Sequence, residues 1–128
     1  MKRLLLDTHV LLWWLADDRQ LGPNAREAIG AGRNQVYVSA ASIWEISIKR
    51  ALGKLQAPDN MDGIVETAGF DPLPISLFHG EQAGRLPDIH RDPFDRMLIA
   101  QAQAEGLDLV TSDRFIPQYG VNILVASD

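Results

Sequence analysis

The feature that most constrains the fold is a short apolar run, Leu4-Leu5-Leu6, that ends abruptly in Asp7. An apolar run with no polar face is typical of a strand buried on both sides of a parallel sheet. The apolar residues 10–15 that follow predict a buried helix. Reactive groups of open α/β sheets collect at the carboxyl ends of strands, so Asp7 is a candidate site residue. The alternative is that Asp7 only caps the following helix.

Short apolar runs and amphipathic stretches alternate through the rest of the chain. The pattern predicts further strands at residues 36–38, 72–75, 107–110 and 121–125, and helices at residues 25–31, 39–52, 60–68, 77–86 and 93–105. Such alternation indicates βαβ units and therefore an α/β fold, with a mostly parallel sheet covered by helices on both faces. A length of 128 residues, without linkers or repeats, predicts a single domain spanning residues 1–128.

Composition excludes several kinds of site and partner. The chain has no cysteine, so disulfides, thiolate catalysis and sulfur-based zinc sites are excluded. Its three histidines are scattered, which leaves oxygen-based chemistry with hard ions such as Mg²⁺ or Mn²⁺. A net charge of −5 opposes a surface that attracts nucleic acid everywhere, but a metal-binding acid cluster would itself lower the charge. We expect no signal peptide and no membrane span, and hence a cytoplasmic protein.

Four acids are predicted to meet at one edge of the sheet. Asp7 and Asp113 follow strands, whereas Glu45 and Asp95 lie in the first turns of helices. Helices that return antiparallel to the strands place their N-termini at the edge where the strands end. Carboxylates gathered within about 4–6 Å repel one another unless a cation or shared protons lie among them. A hard divalent ion with oxygen ligands is the natural occupant.

Each acid also has a purely structural interpretation. Glu45 fits a capping box that starts at Ser42, and it precedes Lys49 by four residues, the spacing of a helical ion pair. Asp92 is predicted to be the N-cap of the helix that starts at Pro93, which leaves Asp95 free to be a ligand. Asp113 could serve only the turn that follows it.

Four segments together resemble the PIN-domain ribonucleases, and in particular the VapC toxins of bacterial toxin–antitoxin pairs. They are Leu-Leu-Leu-Asp7-Thr8-His9, Ser39-Ala-Ala-Ser42-Ile-Trp44-Glu45-Ile46, Asp92-Pro-Phe-Asp95-Arg96-Met-Leu-Ile-Ala-Gln101-Ala and Val110-Thr111-Ser112-Asp113. The resemblance covers residues 4–125 with the acidic motifs in order, although residues 53–87 carry little of it.

The resemblance implies a three-layer fold with a five-stranded sheet in the order 3-2-1-4-5. It also implies Mg²⁺- or Mn²⁺-dependent hydrolysis of RNA, inhibition by a cognate antitoxin, and a homodimer. Asp7 and Asp95 would be the principal metal ligands, and Glu45 and Asp113 would complete the acidic pocket, partly through water.

An RNA substrate must be held by positive groups near this pocket, because phosphate contacts dominate affinity for nucleic acids. The candidates are His90, Arg91, Arg96 and Arg114. Arg96 could instead pair with a neighbouring acid, and the others could be ordinary surface charge. The same holds more strongly for a second basic cluster at Lys49, Arg50 and Lys54. The three tryptophans lie in apolar helical stripes, which favours core or subunit packing over base stacking.

Two other functions remain open from the residues. A Mg²⁺-dependent phosphatase of the haloacid-dehalogenase type would need an aspartate two residues after Asp7, where this chain has His9. A receiver-like domain, which belongs to the same class of Mg²⁺-dependent proteins, would need two adjacent acids after the first strand, where this chain has Asp7 followed by Thr8. A module that binds RNA without cleaving it would be indifferent to Asp7→Asn, whereas a nuclease would lose its activity.

Overall fold

The computed structural model describes residues 1–128 and contains five strands, six α-helices and one short 3₁₀ helix. The strands are β1 (Arg3–Leu6), β2 (Gln35–Ser39), β3 (Asp71–Leu73), β4 (Asp108–Thr111) and β5 (Ile123–Val125). The helices are α1 (Thr8–Ala16), α2 (Pro23–Gly30), α3 (Ala40–Ala51), α4 (Met61–Thr67), α5 (Leu77–Arg85) and α6 (Pro93–Glu105). The sequence did not predict the 3₁₀ helix at Ile116–Tyr119. None of the helices is both long and apolar enough to cross a bilayer.

The five strands form one sheet in the order β3-β2-β1-β4-β5, and every neighbouring pair is parallel. This confirms the predicted strand order. The first strand is central: Leu4 pairs with Val36 on one side and with Asp108 on the other. Because all strands run in the same direction, their carboxyl ends share one edge, and Asp7 lies there directly after β1.

The core lies on both faces of the sheet. Leu4 and Leu6 belong to a cluster formed with residues of α1, α2, α3 and α4. Leu5 points to the opposite face and packs with Leu98 and Ile99 of α6. All three leucines are fully buried, as expected of a central parallel strand. The arrangement confirms the three-layer α/β fold.

Two of the acidic residues are the N-caps of helices. Asp7 caps α1 by accepting a hydrogen bond from Val10 N at 2.8 Å. Asp92 caps α6, as predicted, by accepting from the backbone amides of Phe94 and Asp95. The predicted capping box from Ser42 to Glu45 is wrong, because α3 begins earlier and Ser39 is its cap, accepting from Ala41 N.

The predicted packing against the core is confirmed for two of the three tryptophans. Trp13 and Trp14 are partly buried against the α1–α4 side of the core, and the ring of Trp14 lies 6.2 Å from that of Phe70. Trp44 is 63% exposed, so core packing is wrong for this residue. It contacts Phe94 edge-on, with ring centroids 5.5 Å apart. Trp44 is therefore a surface residue beside the start of α6.

Candidate metal-binding active site

Asp7 combines the two roles that the sequence left open. Its side chain caps α1, yet it also lies at the carboxyl edge of the sheet and is only 6% exposed. Burial raises the pKa of Asp7 above its usual value, and the charge of Asp113 adds to that effect. Hydrogen bonds from Thr111 and Val10, together with the nearby His9, act in the opposite direction but do not cancel it.

Asp95 is the third residue of α6, and its carboxylate faces the other acids. Burial is the main reason that the pKa of Asp95 rises to about 6, and the negative charges of Asp92, Asp7 and Asp113 raise it further. A hydrogen bond with His90 opposes these effects. A carboxyl group in this state binds a proton or a cation readily.

Asp113 follows β4 and serves both its turn and the acid cluster. Its Oδ1 accepts a hydrogen bond from Phe115 N at 2.8 Å, which orders the turn. Its Oδ2 lies 3.2 Å from His90 Nε2. Because Asp113 also perturbs the pKa values of Asp7 and Asp95, the three aspartates form one electrostatic unit.

His90 lies inside this unit, between two of its acids. His90 Nε2 is 2.8 Å from Asp95 Oδ2, and ligand atoms of His90, Asp95 and Asp113 all lie within 4.8 Å of one another. Burial opposes protonation of His90, but the hydrogen bond with Asp95 and the charges of Asp113, Asp95 and Asp92 raise its pKa overall. The sequence predicted a site of oxygen ligands alone and His90 as an RNA contact, whereas the structure places the His90 imidazole among the acids.

Glu45 has different neighbours from the three aspartates. It is only 4% exposed; its Oε1 accepts from the Thr8 hydroxyl at 2.6 Å, and its Oε2 accepts from Lys49 Nζ at 2.8 Å. The hydrogen bond with Glu45 is the main reason that the pKa of Lys49 is raised. Both carboxylate oxygens of Glu45 are therefore engaged, and its link to the aspartates runs through Lys49, on which the charges of Asp92 and Asp95 act.

The basic residues predicted to hold RNA separate into two groups. Arg91 and Arg114 are exposed, and the guanidinium of Arg114 lies 5.4 Å from the ring centroid of Phe115. His90 instead uses its imidazole on Asp95 and Asp113. Arg96 donates to four backbone carbonyls, those of Ala83, Leu86, Pro87 and His90. Arg96 therefore pairs with no acid, and its guanidinium is bound to the backbone instead of being free at the surface. The prediction of an RNA contact is not supported for Arg96.

Three residues of the site were missed by sequence reasoning. Thr8 fixes Glu45, Thr111 hydrogen-bonds Asp7, and the Tyr119 hydroxyl accepts from His90 N at 2.7 Å. The first two adjoin predicted strand ends, which is a usable signal. Tyr119 lies in the unpredicted 3₁₀ helix, and nothing in its sequence spacing points to His90.

The donor set fits a divalent cation. Asp7, Asp95 and Asp113 offer carboxylate oxygens, the ligands that Mg²⁺ and Mn²⁺ prefer, and His90 adds a nitrogen that Mn²⁺ accepts more readily than Mg²⁺ does. The raised pKa values of Asp7 and Asp95 show that their negative charge lacks full compensation. A cation among these groups would supply that compensation.

A second feature is an apolar groove of about 820 Å³ beside the acids, between α3, α4 and β3. Trp44 and Ile43 line one side of it, and Phe70 lies on another. Three acids, Asp62, Glu66 and Asp71, are also part of its lining. Trp44 connects the groove to Phe94 in the first turn of α6.

The chain was compared with known families and structures. Residues 4–122 match the family model described as PIN domain. Ribonuclease VapC22 of Mycobacterium tuberculosis is 32% identical over 122 residues, which cover 89% of each protein. A chain of VapBC2 from Rickettsia felis, in a structure bound to a promoter DNA fragment, superposes with a TM-score of 0.72 at 13% identity, over 95% of this chain and 97% of that one.

A chain of DNA-bound VapBC from Salmonella typhimurium superposes with a TM-score of 0.70 at 19% identity, over 97% of this chain and 98% of that one. These structural likenesses concern the fold, whereas the family match and the relative from Mycobacterium tuberculosis concern the sequence over most of its length. The chain belongs to the PIN-domain family and, within it, to the VapC proteins.

Proposed function

We propose that this protein is a metal-dependent ribonuclease, the toxin of a toxin–antitoxin pair, which arrests growth until its antitoxin neutralises it. The observation that carries the proposal is the group of His90, Asp95 and Asp113, whose ligand atoms lie within 4.8 Å of one another. The charge of the buried Asp7 acts on Asp95 in this group. The likeness to a relative named as a ribonuclease supports the choice of RNA as substrate. The place of action would be the cytoplasm, where bacterial RNA is translated.

Asp7 and Asp95 are the residues that we assign to hold Mg²⁺ or Mn²⁺, with Asp113 and Glu45 completing the pocket, partly through water. When bound, such an ion makes water easier to deprotonate and offsets charge on a phosphate during in-line displacement. The cap bond from Val10 fixes the orientation of Asp7, and the turn bond from Phe115 fixes Asp113. We assign Arg91 and Arg114 to contact the RNA backbone, which their exposure supports, because phosphate contacts dominate affinity for nucleic acids.

The test is induced expression in bacteria of the wild type and of Asp7→Asn, with new RNA 5′ ends mapped across the transcriptome. We expect that only the wild type stops growth and creates discrete new ends, and the map then names the RNA. Growth arrest by both variants without new ends would replace this proposal with an RNA-sequestering module. Phosphatase activity on small phosphomonoesters without RNA cleavage would instead favour a phosphatase-like enzyme.

We further propose that the antitoxin lays an apolar segment with basic flanks into the groove beside Trp44. Structures of VapBC proteins superpose on this chain, which supports a partner of this kind. The apolar lining suits nonpolar side chains, and the acids Asp62, Glu66 and Asp71 complement basic ones. In this proposal a basic side chain of the antitoxin also enters the acidic cluster and neutralises its charge.

Trp44→Ala tests this surface, and Leu52→Ala is its matched control. Both side chains are 63% exposed, but only Trp44 lines the groove. Truncation of an aromatic anchor commonly costs 2 kcal/mol or more, so we expect Trp44→Ala to weaken the cognate antitoxin roughly 30-fold or more in calorimetry. Equal affinities for both variants would locate the antitoxin elsewhere.

A further inference from the structure

The side chain of Lys49 carries a positive charge close to the acidic residues. It lies one helical turn after Glu45 and donates to Glu45 Oε2 at 2.8 Å. The charges of Asp92, which caps α6, and of Asp95, in the first turn of α6, also act on it. Its side chain remains 42% exposed. Apart from His90, it is the only basic side chain that forms an ion pair with one of the four acids.

An ordinary surface ion pair does not account for this arrangement. Pairs at this spacing on an exposed helix contribute little to stability. Here one partner is buried: Glu45 is almost inaccessible, and Thr8 satisfies one of its oxygens while Lys49 satisfies the other. Glu45 is thereby fixed from two sides, and in turn it holds the ammonium where the charges of Asp92 and Asp95 act on it.

An ammonium group has three N–H donors and no acceptor. Glu45 accepts from one of them, and the exposure of Lys49 leaves the others available to a ligand at the pocket. Several carboxylates together repel a phosphate that approaches them. A positive group fixed beside them reduces this repulsion.

We propose that Lys49 is a substrate-binding residue that contacts a phosphate oxygen of RNA, and that Glu45 is the positioning residue that holds it there. This rests on the ribonuclease function proposed above and changes one part of it. Glu45 would act on the substrate through Lys49, and the cation would be held by the aspartates. The distinction matters because a metal ligand and a positioning residue respond differently to the same substitution.

The first experiment measures binding of a labelled fragment of the RNA that the wild type cleaves, in the Asp7→Asn background that blocks cleavage. Lys49→Gln should weaken binding about tenfold and reduce the salt dependence of log Kd by about one phosphate contact. Lys49→Arg, which keeps the charge, should restore most of both. Lys2→Gln is the matched control, an exposed lysine away from the acids, and should change neither.

The second experiment separates Glu45 as a positioning residue from Glu45 as a metal ligand. Mn²⁺ affinity, followed by electron paramagnetic resonance, should tighten in Lys49→Gln, which removes a nearby positive charge, and should fall less than about tenfold in Glu45→Gln, which removes a nearby negative one. In the binding assay, Glu45→Gln should have little further effect once Lys49 is already glutamine, because the two residues act as one unit. A loss of Mn²⁺ affinity of about tenfold or more in Glu45→Gln, or full additivity of the two substitutions, overturns the role of Glu45.

The two proposals fail in distinguishable ways. A wild type that cleaves RNA, combined with Lys49→Gln that binds RNA with an unchanged salt dependence, overturns the role of Lys49 alone. A wild type that creates no RNA ends and binds no RNA overturns the ribonuclease and Lys49 together. Circular dichroism of each variant shows whether a loss of binding reflects a loss of folding.

Discussion

Asp7 illustrates how one side chain can serve structure and chemistry together. Its Oδ1 caps α1, while its burial beside Asp113 makes its negative charge unfavourable without a cation. An amide at this position would keep the first role and lose the second, because asparagine caps helices as well as aspartate does. Asp7→Asn is for that reason a cleaner probe than Asp7→Ala.

We predict that Asp7→Asn lowers RNA cleavage at least about 100-fold, because loss of even an indirect metal partner commonly costs 10–100-fold. In EDTA the same variant should unfold at a higher temperature than the wild type at neutral pH, since a buried charge has been removed. Thermal unfolding followed by circular dichroism measures this. An unfolding temperature lower than that of the wild type would mean that the amide fails as a cap.

The pKa of Asp95 predicts the pH dependence of the metal-free protein. Its value of about 6 in the folded state exceeds its ordinary value of 3.8, so between these two pH values the folded protein keeps a proton that the unfolded chain has lost. The free energy of unfolding therefore falls as the pH rises through this window. The pKa of His90 is also raised, so the free energy of unfolding continues to fall at higher pH as the folded protein loses the proton on His90.

Urea unfolding in EDTA at about pH 4.5 and about pH 7 should show this loss, with up to about 2 kcal/mol attributable to Asp95. Asp95→Asn should reduce the difference between the two pH values. Mg²⁺ should bind more tightly at the higher pH, where it no longer competes with a proton on Asp95. Stability that increases steadily over this range in both proteins would contradict the assignment.

At the scale of elements, Arg96 joins α6 to the segment that carries His90. Its guanidinium donates to four backbone carbonyls between the end of α5 and His90, and Tyr119 adds a contact with Pro87 O and His90 N. The segment between α5 and α6 has no regular structure of its own, so these side-chain contacts determine where it lies.

We predict that Arg96→Lys destabilises the protein by about 1–3 kcal/mol, since an ammonium cannot reproduce the forked geometry of guanidinium. Amide hydrogen exchange should accelerate at His90, whose N–H is bonded to Tyr119. Arg91→Lys, an exposed position in the same segment, is the control and should leave both measurements unchanged. Unchanged exchange at His90 in Arg96→Lys would show that Tyr119 suffices.

What the sequence could predict also depends on scale. The strands and the location of Asp7 and Asp113 at one edge of the sheet follow from apolar runs and from the rule that parallel strands end at one edge, whereas the strand order was implied by the resemblance to the PIN-domain ribonucleases. The contacts of Arg96 and His90 could not be predicted, because the segment that joins α5 to α6 has no periodicity from which side-chain directions can be inferred. The exposure of Trp44 depends on the gap between α3, α4 and β3, a tertiary feature.

At the scale of the molecule, the core residues on both faces of one sheet predict a single cooperative unit. Far-ultraviolet circular dichroism and tryptophan fluorescence should therefore report the same urea midpoint. The homodimer implied by the family resemblance adds a second prediction: the midpoint should rise with protein concentration, because association stabilises the folded chains. Separate midpoints for the two probes would argue against one domain.

The strand order also determines when the acids can meet. Asp7 owes its place to β1, which pairs on one side with β4, and Asp113 follows β4 near the other end of the chain. During synthesis, Asp7 cannot meet Asp113 until β4 has emerged from the ribosome and paired with β1. A nascent chain that lacks β4 has neither Asp113 nor the neighbour that completes the central strand. A metal site that needs both Asp7 and Asp113 therefore cannot form before β4 has been synthesised.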